Sequence, residues 1–184
     1  SKEYTENPEG KKILEDGSLY SGNWRNGMMW GFGNLLERND DFYTGEFIAN
    51  KKDGRGRLII KSSESNKATN VEYIGDFKDN KRWGKGKIVF EASHYYDGDW
   101  EDDAPHGLGK EYWMSDGKAM AYEGNFVNGR KEGFGRIDMK DEKSYYAGNF
   151  LDNCKHGLGK CIWGDGRSYE GEWTKNEMDG EGIF

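Results

Sequence analysis

Aromatic, glycine and polar positions alternate along this chain in one figure that returns seven times. The figure is Tyr-x-Gly-x-Trp/Phe: Tyr20-Gly22-Trp24, Tyr43-Gly45-Phe47, Tyr73-Gly75-Phe77, Tyr96-Gly98-Trp100, Tyr122-Gly124-Phe126, Tyr146-Gly148-Phe150 and Tyr169-Gly171-Trp173. A spacing of two puts these three residues on one side of a β-strand. Eleven residues after each Tyr comes Gly-x-Gly, from Gly31/Gly33 to Gly180/Gly182. The two motifs account for 21 of the 28 glycines, so Gly is a fixed structural part here rather than loop filler. The segment between the motifs is turn-like, as in Arg25-Asn26-Gly27, Asp79-Asn80-Lys81 and Asn128-Gly129. A second strand is expected after Gly-x-Gly, as in Leu58-Ile59-Ile60, Ile88-Val89-Phe90 and Cys161-Ile162-Trp163. Helical periodicity is nowhere sustained. Each unit predicts a β-hairpin.

Successive tyrosines lie 23, 30, 23, 26, 24 and 23 residues apart. Every added residue falls between Gly-x-Gly and the next Tyr, most of all in the polar stretch from Lys61 to Asn70. Insertions confined to one place map to loops on one side of a stacked array. Gly10 stands ten residues before Tyr20, where the second Gly of a preceding unit belongs. The run from Pro8 to Leu14 therefore reads as the second strand of a degenerate unit, with Pro8 in place of a Gly. Residues 1–15 are expected to form a half repeat or N-terminal cap, and residues 16–184 the seven repeats. The chain opens on Ser1 rather than Met and closes just inside a second strand. A longer protein is expected around it, with further repeats or a partner covering the open strand edges.

A register follows from the glycines. With Trp24 opposite Gly31, Gly22 faces Gly33 and Ser21 faces Asn34, so the Trp/Phe ring covers bare backbone. Of the fourteen residues one and three places after each Tyr, seven are acidic and none basic: Glu46, Asp76, Asp97, Asp99, Glu123, Glu170 and Glu172. The residue after Gly-x-Gly is basic in five units: Arg57, Lys87, Lys110, Arg136 and Lys160. Opposed columns of this kind stabilise strand pairing by roughly 0.2–1 kcal/mol per pair.

Composition changes the picture in one respect. Only 34% of residues are hydrophobic but 15% are aromatic, which fits a thin layer of rings better than a thick aliphatic core. Disordered chains are poor in aromatics. A net charge of −7 disfavours nucleic acid and, in general, anionic lipid. Cys154 and Cys161 form no disulfide framework or C-x-x-C pair, and a reducing compartment is expected. No stretch has the length and apolarity of a transmembrane helix, and no signal-peptide pattern opens the chain.

These units resemble the MORN repeat, whose Tyr-x-Gly-x-Trp is followed by a polar turn and His-Gly-x-Gly, often with Asp-Gly ahead. Here His106 and His156 stand at the His position, and Asp16-Gly17, Asp116-Gly117 and Asp165-Gly166 match the leading element. Trp30, Asp53, Trp83, Glu132 and Asp179 depart from it. The resemblance implies an all-β fold: an elongated, twisted single-layer array of tandem antiparallel β-hairpins. It also implies a protein-binding scaffold, often self-associating, in cytoskeletal, ciliary or flagellar settings. Two alternatives come with it: a phosphoinositide or membrane-surface module, and the regulatory segment of a larger enzyme.

The expectation is therefore a non-catalytic, cytoplasmic scaffold that holds an extended or helical partner segment, with homodimer formation possible. The candidate partner residues are Met28, Met29, Trp30, Trp83, Tyr96, Trp100, Tyr122 and Phe126. The tyrosines and their aromatic mates are first of all core, whereas Met28-Met29-Trp30 is an apolar turn where others are polar. Arg57, Lys87, Lys110, Arg136 and Lys160 are the candidates for anionic lipid. His94, His106 and His156 are scattered, and no cofactor, metal site or nucleophile–base pair is expected.

Overall fold

The computed structural model describes residues 10–61, 70–91, 93–139 and 143–184. The expectations for Pro8 and for most of the 61–70 insertion lie outside the described residues. All regular structure among them is β. The strands are β1 (Lys11–Ile13), β2 (Leu19–Arg25), β3 (Met28–Leu36), β4 (Phe42–Ile48), β5 (Lys51–Ile60), β6 (Val71–Lys78) and β7 (Lys81–Glu91) in a first compact unit. A second unit holds β8 (His94–Glu101), β9 (Ala104–Ser115), β10 (Lys118–Val127), β11 (Arg130–Met139), β12 (Ser144–Leu151), β13 (Cys154–Ile162), β14 (Ser168–Thr174) and β15 (Glu177–Ile183). Within each unit the strands follow one another in sequence order, every neighbour antiparallel. The predicted hairpins are all present.

The second strand of each hairpin begins before Gly-x-Gly, not after it. The turn takes only two residues, both with positive φ: Asn26 and Gly27, Ala49 and Asn50, Asp152 and Asn153, Lys175 and Asn176. Such turns carry the twist that hairpin strands need, and Asn, Asp and Gly tolerate that backbone best.

The glycine register holds, with Gly22 opposite Gly33 and Ser21 opposite Asn34, but Trp24 faces Met29 rather than Gly31. Trp30, Gly31 and Phe32 stand against the single residue Asn23, an irregularity that recurs in the other hairpins except β6–β7, where Asp76 faces Trp83 and Gly84 and Lys85 are the extra residues. The first Gly of every Gly-x-Gly takes a left-handed φ, from 64° at Gly84 to 104° at Gly54, to make this bulge. Gly31 then pairs with Phe47 of the next repeat.

The cover over the paired glycines is the Tyr ring, not Trp or Phe. A Cβ on Gly109 would lie 2.5 Å from the Tyr96 hydroxyl, and one on Gly98 would lie 2.5 Å from the Gly109 Cα. Within each unit a Tyr meets the Trp/Phe of its own repeat edge-on, and Tyr20, Tyr43, Tyr96, Tyr122 and Tyr146 also meet that of the next: Tyr43 with Phe47 at 5.1 Å and Phe77 at 5.0 Å, Tyr122 with Phe126 at 5.1 Å and Phe150 at 5.1 Å. Edge-to-face pairing of this sort adds about 0.5–1.5 kcal/mol per pair beyond the area buried. This ladder is the core of each unit.

Pairing of β1 with β2 puts Lys12 opposite Tyr20, and the Trp24 indole donates to the Gly10 carbonyl at 3.3 Å. Trp173 makes the same bond to Gly159 at 2.9 Å.

Candidate functional site

Two faces follow from strand alternation: a ladder face carrying the Tyr rings, and an opposite face. On the ladder face every Tyr hydroxyl donates to the backbone carbonyl three residues on, as from Tyr20 to Asn23 at 2.9 Å and from Tyr96 to Asp99 at 2.8 Å. The acceptor residue stands at the bulge, so Tyr in place of Phe adds a hydrogen bond there to the packing of its ring. Burial pushes the phenols of Tyr20 and Tyr146 up to about 12, and raises those of Tyr43 and Tyr122 well above the ordinary phenol range.

The residue two places before Gly-x-Gly lies over the ladder near the turns. It is Lys in three repeats, and each ammonium covers aromatic rings. Lys52 lies 5.4 Å from the Tyr43 ring centre, Lys131 lies 4.8 Å from Trp113 and 5.2 Å from Tyr122, and Lys155 lies 4.9 Å from Trp173 and 5.1 Å from Tyr146. Lys52 also pairs with Glu37, and Lys131 with Glu111 at 2.5 Å. His94 approaches the same Glu111 at 3.2 Å.

Each unit also has an open hollow, and Lys52 lines the first of them. One of about 550 Å³ in the first unit is lined by Met29, Leu35, Glu37, Asn50 and Lys52 among others. One of about 640 Å³ in the second unit is lined by Met139, Ser144, Trp163 and Arg167 among others.

The hairpins are stitched at the turns. Asn50 accepts from the Met29 amide at 2.7 Å, Asn80 from Lys52 at 2.9 Å, Asn153 from Lys131 at 2.9 Å and Asn176 from Lys155 at 2.9 Å. Where the residue below is Pro105, which has no amide hydrogen, the turn residue above it is Gly129 and only the backbone bond remains.

The opposite face holds the basic column. Lys110 pairs with Glu123 at 3.0 Å, Lys160 with Glu170 at 3.0 Å, Arg136 with Asp138 at 2.7 Å and Arg57 with Glu72. Arg136 also stacks on Tyr145 at 3.8 Å, and Lys87 stands across from Ile74. The acidic residue three places after the Tyr has a further role: Glu46, Asp76 and Asp99 accept from the amide at the centre of Gly-x-Gly. Asn125 and Asn149 meet the carbonyl of that same residue instead.

The candidate partner residues fall into three places. Tyr96, Trp100, Tyr122 and Phe126 adjoin one another and are buried in the ladder. Met29, at 6% exposure, lines the first hollow, while Met28 and Trp30 alternate to the other face. Trp30 lies under Arg25 at 4.7 Å, and Trp83, two repeats on, under Lys78 at 4.6 Å. Sequence reasoning missed two sets of residues. One is the three ladder-face lysines, which share one position relative to Gly-x-Gly. The other is the central residue of Gly-x-Gly: Phe32, Leu108, Phe134 and Leu158 stand on the opposite face, Phe134 62% exposed.

Chemically this is a surface of rings, cations and amides. Among the described residues no group of three His, Cys, Asp or Glu side chains could hold a metal ion. Cys154 and Cys161 are unpaired, and burial pushes the Cys161 thiol up, away from the thiolate. No helix among the described residues is long and apolar enough to cross a membrane.

The family model for the MORN repeat matches residues 20–36, 43–63, 73–92, 96–118, 122–141, 146–166 and 169–184. A comparison with curated proteins gives no match.

Proposed function

We propose that this chain, which belongs to the MORN-repeat family, is a non-catalytic protein-binding scaffold that holds an extended or helical partner segment along its ladder face. Binding in general is the common work of such repeats. The finer reading is a cytoplasmic scaffold of the cytoskeleton, cilium or flagellum.

One observation carries it: each unit leaves an open hollow on the ladder face, lined by Met29, Leu35 and Lys52 in the first and by Met139 and Trp163 in the second. Buried rings make a stiff floor, and long shallow contacts suit a sheet face better than a small ligand does. The basic column favours phospholipid less. Arg57, Lys110, Arg136 and Lys160 each already have a carboxylate within ion-pair distance, and an exposed pair of that kind contributes only about 0–1 kcal/mol to stability.

A photo-crosslinking residue at Met29 or Met139, and one at Leu108 on the other face, tests this in cells. Protein adducts are expected from the first two positions. Adducts confined to Leu108, or made with lipid alone, would overturn the ladder-face scaffold.

A further inference from the structure

Lys52, Lys131 and Lys155 hold one position in three repeats, yet their surroundings differ. Lys131 lies over Tyr122 and pairs with Glu111, the residue directly across the strand from Tyr122. Lys52 lies over Tyr43, where the residue across is Leu35, and its carboxylate comes from Glu37, two residues further along the same strand. The corresponding residues for Lys155 are Ile137, directly across from Tyr146, and Met139, two residues on. Both positions that supply a counter-charge elsewhere are apolar here. Among the described residues the Lys155 ammonium has rings around it and no carboxylate in ion-pair range.

A half-buried ammonium keeps its charge at a cost in desolvation, and ring quadrupoles repay only part of it. Glu37 and Glu111 display the occupant that this position accepts: a glutamate-like carboxylate reaching over the ladder. No described residue supplies that carboxylate beside Lys155, and the immediate neighbours of one brought by a partner would be Ile137 and Met139. Met139 also lines the 640 Å³ hollow together with Trp163, and polar groups of Ser144, Asp165 and Arg167 line the rest of it.

We infer that Lys155 is the anchor for an acidic side chain of a protein partner, carried on an extended segment whose neighbouring apolar residues lie on Ile137 and Met139. This rests on the ladder face being the protein-binding face. It commits to a protein carboxylate over a lipid phosphate because the chain's own equivalents are glutamates.

The test uses a display library of extended peptides with Glu between two apolar residues. A matched library has Gln at that place, and vesicles of phosphatidylcholine with phosphatidylserine serve as a third probe. Two variants go with the parent chain. Lys155→Met removes the cation and places there the residue that Met29 and Met178 already supply in other repeats. Ile137→Glu builds the missing carboxylate into the chain and so occupies the site from within. Glu peptides are expected to be retained about tenfold better than Gln peptides by the parent, with that preference lost in both variants. A Lys160→Met control on the opposite face should keep it. Equal retention of Glu and Gln peptides would sink the anchor while leaving the scaffold standing, and so would a preference that survives both variants. Vesicle binding lost in Lys155→Met, with no peptide retained, would assign the cation to lipid and overturn both.

Discussion

The hydroxyl of Tyr146 donates a 2.9 Å hydrogen bond to the backbone carbonyl of Asn149, three residues along the same strand. The ring thus fills the space over Gly148 and Gly159 while its tip hydrogen-bonds the carbonyl of the residue at the bulge. Tyr146→Phe keeps the ring and removes that bond. A loss of about 1–3 kcal/mol is expected, read as a lower urea midpoint with unchanged slope. An unchanged midpoint would mean that water reaches Asn149 and that the hydroxyl is dispensable.

The Gly98–Gly109 pair is a stricter constraint. A Cβ on either would meet backbone or the Tyr96 hydroxyl at 2.5 Å, and β9, paired with both β8 and β10, cannot yield. Gly98→Ala and Gly109→Ala are each expected to cost at least about 3 kcal/mol by overpacking. Gly117→Ala is a useful contrast, because nothing lies within 4 Å of a Cβ there and only its left-handed φ of 76° opposes the change. That variant should lose about 1–2 kcal/mol. Equal melting of Gly98→Ala and Gly117→Ala would show that the glycines answer to backbone conformation rather than to the ring above them.

The hairpins, their number and the glycine facing were legible because Tyr, Gly and Trp/Phe recur at a spacing of two, which only a strand converts into one face. The bulge was not. Placing Trp24 opposite Gly31 assumed an even ladder, whereas three residues stand against Asn23. Nothing in the spacing alone separates a Gly needed for space from one needed for positive φ. Glu46 and Asp99 illustrate the same limit: read as a charge column, they accept from the bulge amides, whereas Asn125 and Asn149 at the same position donate to the carbonyl there. The ladder-face lysines carried a signal, since Lys52, Lys131 and Lys155 share a position. Their difference appears only when Glu37, Glu111 and Ile137 are seen beside them.

Turn stitching separates two contributions at one residue. Asn153 has φ 67° and accepts from the Lys131 amide of the preceding hairpin. Asn153→Gly keeps the backbone and loses the acceptor, for an expected cost of about 0.5–1.5 kcal/mol. Asn153→Ala adds the left-handed penalty, roughly 1–2 kcal/mol more. At Gly129 the reverse change, to Asn, should gain little, because Pro105 offers no amide hydrogen. Combining it with Pro105→Lys should restore the bond. Thermal melts of the four variants check this, and a Gly129→Asn gain that does not need the Pro105 change would refute the stitching role.

Alkali should unfold the ladder through its buried phenols. Tyr20 and Tyr146 hold their protons up to about 12 in the folded chain, against about 10 for a phenol in water. A folded-state value above the unfolded one means that the folded form binds the proton more tightly. The stabilisation is therefore complete below pH 10, declines as the unfolded chain ionises, and is gone once the folded phenols ionise near 12. Tyr43 and Tyr122 are raised by burial in the same direction and extend the decline. Surface pairs such as Lys51–Asp79 and Lys160–Glu170 also weaken in alkali, but exposed pairs contribute little. Denaturant midpoints should thus be insensitive to tyrosine ionisation up to pH 10 and fall steeply beyond it. The phenolate absorbance of the ladder should appear together with loss of β-structure, not before. Tyr146→Phe should start less stable but fall less steeply, having one such proton fewer to lose. A parent midpoint level to pH 12, or an equal fall in parent and variant, would show that the ladder phenols do not govern alkaline unfolding.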